Sequence, residues 1–224
     1  MYRAIISDVK VFCSIAMMVT LIPASAWCAG PALTPVQIRS ALVEGMRYKS
    51  LNQFFQRKQI SGYKHIRGTT VTLATGLSGT DIQANFFNEW WAVAAQGAAA
   101  RQQMRQITPD QIESTGLLYA RVYAGTVGAV STSKLNRRYG SKQAHLVLQI
   151  GDRTIQPVQK EMVSRSDESV PNLLIGLPEG EITLDFAFDV TPAELESPVM
   201  VILIDGDGKH HQHKADLKGI LTYD

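Results

Sequence analysis

Three of the five histidines in this 224-residue chain fall in His210-His211-Gln212-His213, directly after a turn that carries Asp205 and Asp207. Neutral imidazole suits borderline transition metals, and two histidines one residue apart on a strand present both rings on one face. Alternation groups His211, His213, Ala215 and Leu217 on one face, and His210, Gln212, Lys214 and Asp216 on the other. A two-residue turn at Gly206-Asp207 or Asp207-Gly208 places His211 and His213 beside Met200, Ile202 and Ile204, on the side leading to the core. The chemistry expected of such a set is Zn or Cu binding through His211, His213 and Asp207, with His65 or His145 as further donors. The plainer expectation is a solvated hairpin tip in which Asp-Gly serves only the turn, and a protein without a cofactor.

Other motifs lead less far. Asp205-Gly-Asp-Gly208 opens like a calcium loop, but its twelfth position is Asp216, not Glu, and histidines and lysines stand where oxygen ligands belong. Ser131-Thr-Ser-Lys134 matches the Ser-x-x-Lys of penicillin-binding enzymes without the Ser-x-Asn or Lys-Thr-Gly that accompanies it. Gly76-Leu-Ser-Gly-Thr80 lacks the pattern of a nucleophile elbow, and no phosphate-binding Gly-Lys-Ser/Thr run is present. Asp185 and Asp189 fall on the outward face of an alternating strand, the ordinary place for solvated charge. Asn136-Arg-Arg-Tyr-Gly140 reads as a polar loop able to meet a partner.

The elements that must position these groups follow from patterning. Thr34-Pro-Val-Gln37 is a capping box with Pro in the first turn, so a helix is expected from there to about Lys58. Thr69 to Thr75 is β-branched and alternating, a strand. Thr80-Asp-Ile-Gln83 repeats the capping pattern, and Ile82, Phe86, Trp90, Val93, Gly97 and Met104 then form the stripe of a helix expected over 81–106. At that spacing Trp90 and Trp91 read as core, and Gly97-Ala-Ala-Ala100 invites close approach of another backbone. Thr108-Pro-Asp-Gln111 marks a short capped turn.

Beyond Gly116 the rhythm becomes that of strands. Leu117–Ala124, His145–Ile150, 154–163, 172–177, Ile182–Val190 and Pro198–Ile204 alternate or run apolar between turns at Gly151-Asp152 and Pro178-Glu-Gly180 and a polar loop at 164–168. Thr191-Pro-Ala-Glu194 supplies a last capped turn. The expected fold class is α+β, with N-terminal amphipathic helices packed on a C-terminal antiparallel β-sandwich, immunoglobulin-like only in the loose architectural sense. The expected divisions are a signal peptide at 1–26, a linker at 27–33, a helical part with one strand at 34–115 and the sandwich at 116–224.

Arg3 and Lys10, the apolar run from Val11 to Ile22, and Ala24-Ser-Ala26 have the order of a cleavable leader. Export to the periplasm or beyond follows, with no stable membrane span once the leader is removed. Of the two cysteines, Cys13 leaves with the leader and Cys28 has no internal partner, so no disulfide framework is expected. A net charge of +2 without a run of one sign argues against a nucleic-acid partner, and none is expected. The function expected is a non-enzymatic exported module that binds an as yet unidentified protein or supports an envelope assembly. Metal binding through the histidine hairpin and a hydrolase built from scattered residues are the alternatives.

Overall fold

The computed structural model describes residues 30–49, 54, 68–74, 80–127, 132–140, 144–171 and 178–223. The fold is α+β. Two antiparallel sheets pack face to face, and a pair of helices lies on the outer face of the larger one.

The larger sheet has five strands: β1 (Gly68–Ala74), β2 (Thr80–Phe87), β3 (Leu118–Val127), β6 (Gln159–Pro171) and β7 (Pro178–Phe188). Their order is β1-β2-β3-β7-β6. The smaller sheet contains β4 (His145–Ile150), β5 (Arg153–Ile155), β8 (Val199–Ile204) and β9 (His210–Ala215), in the order β5-β4-β8-β9. Register sorts the side chains. Phe86, Ala120 and Phe186 form one row across the larger sheet and face inward, as do Ala84, Val122 and Leu184. They meet Leu146, Leu148, Val201 and Leu203 of the smaller sheet in one continuous apolar core. Large side chains such as Phe86, Phe186 and Leu148 are fully buried; burial of this kind contributes roughly 1.5–3 kcal/mol per residue.

Among the described residues three α-helices of eight residues or more accompany the sheets. In α1 (Pro35–Gly45) the capping box forms as the sequence predicts: Gln37 N–H reaches Thr34 Oγ1, and the Gln37 side chain accepts the Thr34 N–H at 2.8 Å. The helix ends at Gly45, and of positions 50–67 only Phe54, whose ring is buried, is described. Helix α2 (Glu89–Gln102) is capped by Asn88, whose Oδ1 accepts the Trp91 N–H at 3.3 Å. It packs against α1 through two glycines. A Cβ at Gly97 would lie 2.6 Å from Leu42 O, and one at Gly45 would collide with the Ala94 carbonyl. The close approach expected of the Gly97–Ala100 run is thus made by α1. Trp90 and Trp91 are core: Trp91 meets Phe54 edge-on at 5.0 Å and Phe87 at 5.7 Å, and Phe87 stacks on Tyr119 at 6.1 Å. Helix α3 (Thr132–Tyr139) buries Leu135 and Tyr139 in the sandwich core.

Several expectations need correction. Residues 81–87 are strand, not helix, and α2 starts only at Glu89. Ile82 and Phe86 lie four apart, which is about one helical turn but also an even number, so their spacing serves a strand equally well. Among the described residues two strands, not one, therefore precede residue 116, and β2 pairs with β3 across that position. The loop expected at 136–140 holds the end of α3, because Leu135 and Tyr139 share one helical face. The strand expected over 154–163 is two strands in different sheets. Pro157, which has no N–H for a ladder, lies between them. The polar loop expected at 164–168 lies within β6, where 164–166 pair with β7 and register shifts at 162–164 and 166–170 interrupt the ladder, and the turn expected at 178–180 is paired backbone of β7. The strand expected at 172–177, the leader, both cysteines and Ser131 lie outside the described residues. Among the described residues no helix is long and apolar enough to cross a membrane.

A buried carboxylate joins helices to sheet. Glu89 accepts hydrogen bonds from Ser114 Oγ at 2.6 Å, from Thr115 Oγ1 at 3.0 Å and from the N–H groups of Thr115 and Gly116. Ser114 Oγ in turn accepts the Leu33 N–H, which ties the N-terminal segment to the same point. Gly116 has φ +66°, and a Cβ there would strike the Gly30 carbonyl that crosses it.

Candidate functional site

The histidine hairpin differs from its expected geometry in one decisive way. Ile204 pairs with His210, so the connection is five residues, 205–209, not two. Asp205 builds it. Its Oδ1 accepts the N–H groups of Asp207 at 3.0 Å and Lys209 at 2.9 Å, its own N–H donates to Lys209 O, and Gly208 takes φ +77°. The odd-length loop reverses the parity. His211 and His213 therefore stand opposite Leu203 and Val201, and not beside Met200, Ile202 and Ile204.

His211 is buried at 9% exposure and reaches the core side as expected. Its Nε2 lies 3.3 Å from Asp205 Oδ2 and 3.5 Å from the Tyr139 hydroxyl. A ring nitrogen aimed at a carboxylate carries the proton, so that lone pair is not offered to a metal. Burial would raise the Asp205 pKa, but the Lys209 N–H, the His211 ring and the Asp207 N–H outweigh it and hold the carboxyl below its ordinary range. Burial, and then the Asp205 charge, push the Tyr139 phenol up to about 12. The cluster thus pins α3 to the β8–β9 loop, reinforced by Gly206 N–H donating to Arg138 O at 2.7 Å.

The three residues expected to bind metal diverge. His213 is exposed, and Asp207 is held by Arg138 and, at 3.6 Å, by Arg137. His145 is exposed at the start of β4, in the Ile204–His210 row, and His65 lies outside the described residues. Among the described residues no group of three or more His, Cys, Asp or Glu is arranged to hold a metal ion.

The second site lies on the outer face of the five-stranded sheet. The Phe87–Tyr119–Ala187–Gln159 row and the Arg121–Asp185 pair face α2, and between them opens a cleft of about 780 Å³. Its helical wall presents Ala92, Ala95 and Ala99, with Gln96, Gln102 and Gln103 at the rim. In its floor Arg121 donates to both oxygens of Asp185, Nε at 2.7 Å and Nη2 at 2.6 Å. The Arg121 side chain is only 6% exposed and that of Asp185 29%. Burial pulls the guanidinium pKa down, and Asp185 more than restores it, so Arg121 titrates above its ordinary value.

No protein-family model and no curated protein matches this chain. What the cleft can do is therefore read from its own groups. The alanines of the α2 wall and the Phe87 and Tyr119 rings offer apolar contact; glutamine carboxamides, both donors and acceptors, ring it; and the Arg121–Asp185 pair is internally neutral, with Lys160 the remaining charged residue of the lining. Sequence reasoning passed over this site. Asp185 does face outward, but α2 covers that face, and Arg121 lies 64 positions away with nothing in its neighbourhood to mark the pairing. The alternation of Tyr119, Arg121 and Tyr123 against apolar Ala120 and Val122 was the available signal.

Proposed function

We propose that this protein is an exported, non-enzymatic binding module that holds another protein in the cleft between α2 and the five-stranded sheet. The observation that carries the reading is the composition of that cleft. A pocket of about 780 Å³ with an alanine wall, an aromatic end and a glutamine rim complements polypeptide, whose backbone repeats the donor and acceptor pair of a carboxamide. Arg121 and Asp185 spend their charges on each other and so shape the floor. Export rests on the leader-like order of residues 1–26.

The test uses the mature chain as bait in envelope extract, beside a Gln96→Trp variant that fills the rim from an exposed position. The expected result is one partner that, once purified, binds the wild type and binds the variant at least ~10-fold more weakly, about 1.4 kcal/mol. Recovery of no partner, or a partner indifferent to the variant, overturns the reading, as does turnover in an esterase, glycosidase and peptidase screen.

A further inference from the structure

The cleft does more than present side chains: it reaches the edge of a sheet. Among the described residues β6 is the terminal strand of the five-stranded sheet, hydrogen-bonded on one side to β7. Its register is regular from Gln159 opposite Ala187 to Met162 opposite Leu184, and slips beyond that point. Gln159 and Lys160, the start of this regular stretch, line the cleft together with Phe186 and Ala187. Alternation turns Lys160 and Phe186 inward: the Lys160 ammonium donates to Ala144 O and lies 5.9 Å from the Phe186 ring centroid. At those two positions the cleft is therefore floored by main chain.

Resting on the reading above, we infer that the occupant is an extended segment of the partner protein that adds as a sixth strand to the outer edge of β6 at Gln159–Met162, under the C-terminal half of α2. Strand addition draws affinity from main-chain hydrogen bonds and specificity from alternate side chains. The helix suits such a guest. Ala92, Ala95 and Ala99 leave room along one face for bulky apolar side chains at every second position. The lining's charged side chains on that face, Arg121 and Asp185, neutralise each other, which selects an uncharged segment over an acidic or basic one. Met104, 94% exposed, follows Gln103, and Val158, 49% exposed, precedes Gln159, so the cleft has an apolar residue beside each lip.

The experiment pans a random-peptide phage library on the immobilised mature chain, then resynthesises the enriched peptides with single backbone N-methyl groups walked along each. Strand addition predicts a loss of about 10-fold or more at every second residue and little between. It also predicts slowed amide exchange in 159–162, and weakened binding to both Gln96→Trp and Ala99→Trp, each checked for wild-type circular dichroism. An even N-methyl profile, binding to both folded variants as tight as to the wild type, or a library that yields no binder overturns the inference. So does concentration-dependent self-association that excludes the peptide, since a second copy would then hold the edge. A partner recovered from envelope extract that these peptides fail to displace removes strand addition alone and leaves the binding module standing. Absence of both partner and peptide removes both.

Discussion

Asp205 shows how one side chain can decide a local geometry that several neighbours only suggest. Asp-Gly-Asp-Gly reads as a tight turn, but a carboxylate that accepts two loop N–H groups and faces His211 stabilises a longer one. The folded-state pKa of Asp205 is depressed, so the unfolded chain takes up the proton more readily. Its contribution is complete above the unfolded value of about 3.9 and is lost as pH falls through the folded value. Asp205→Asn is expected to lower stability at neutral pH by about 1.5–3 kcal/mol, the scale of hydrogen bonds to a charged group. It should also flatten the acid limb. Urea midpoints for both proteins at neutral pH and near pH 3 check this; parallel pH profiles would show that Asp205 does not titrate with folding.

At the scale of elements, α1 and α2 behave as one unit because two glycines let their backbones touch. Gly45 meets the Ala94 carbonyl and Gly97 meets that of Leu42, at neighbouring points of a single contact. Adding one methyl at either place is expected to cost about 1–3 kcal/mol by forcing the helices apart. Once they have parted the second methyl meets less resistance, so the Gly45→Ala/Gly97→Ala double variant should lose less than the sum of the singles. Denaturant titration of all four proteins measures the coupling, and strict additivity would mean that the two contacts are independent. The helix pair is anchored to the sheet mainly near the start of α2, by Glu89 and by the Trp91–Phe87–Tyr119 rings, and the cleft opens along the rest of α2.

For the whole molecule, the pairing of β2 with β3 over eight residues means that a boundary at 115/116 would cut through a sheet. A chain beginning at Gly116 keeps β3 but loses its neighbours β2 and β1, exposing a long apolar-faced edge. Such a fragment is expected to aggregate or to lack a cooperative transition. The full chain should unfold in one step seen alike by tryptophan fluorescence, which reports the helices, and by far-ultraviolet dichroism, which reports the sheets. Two separate transitions in the intact protein would contradict this.

Patterns with a period of their own were legible in the chain. The Thr34 capping box, the alternation of Thr69–Ala74 and Ile182–Phe188, the unbroken Val199–Ile204 run and the small-residue face of α2 depend on neighbours a few positions away, and local sterics and hydrogen bonding write them directly. Where two periods coincide, as at Ile82 and Phe86, the chain alone is ambiguous, and pairing with β3 settles it for the strand. The placement of His211 against Asp205 and Tyr139, the Arg121–Asp185 floor and the cleft above it join residues that are distant in the chain or turn on the length of one loop. Such contacts are selected by the burial and charge pairing of the assembled layers, so tertiary structure alone decides them.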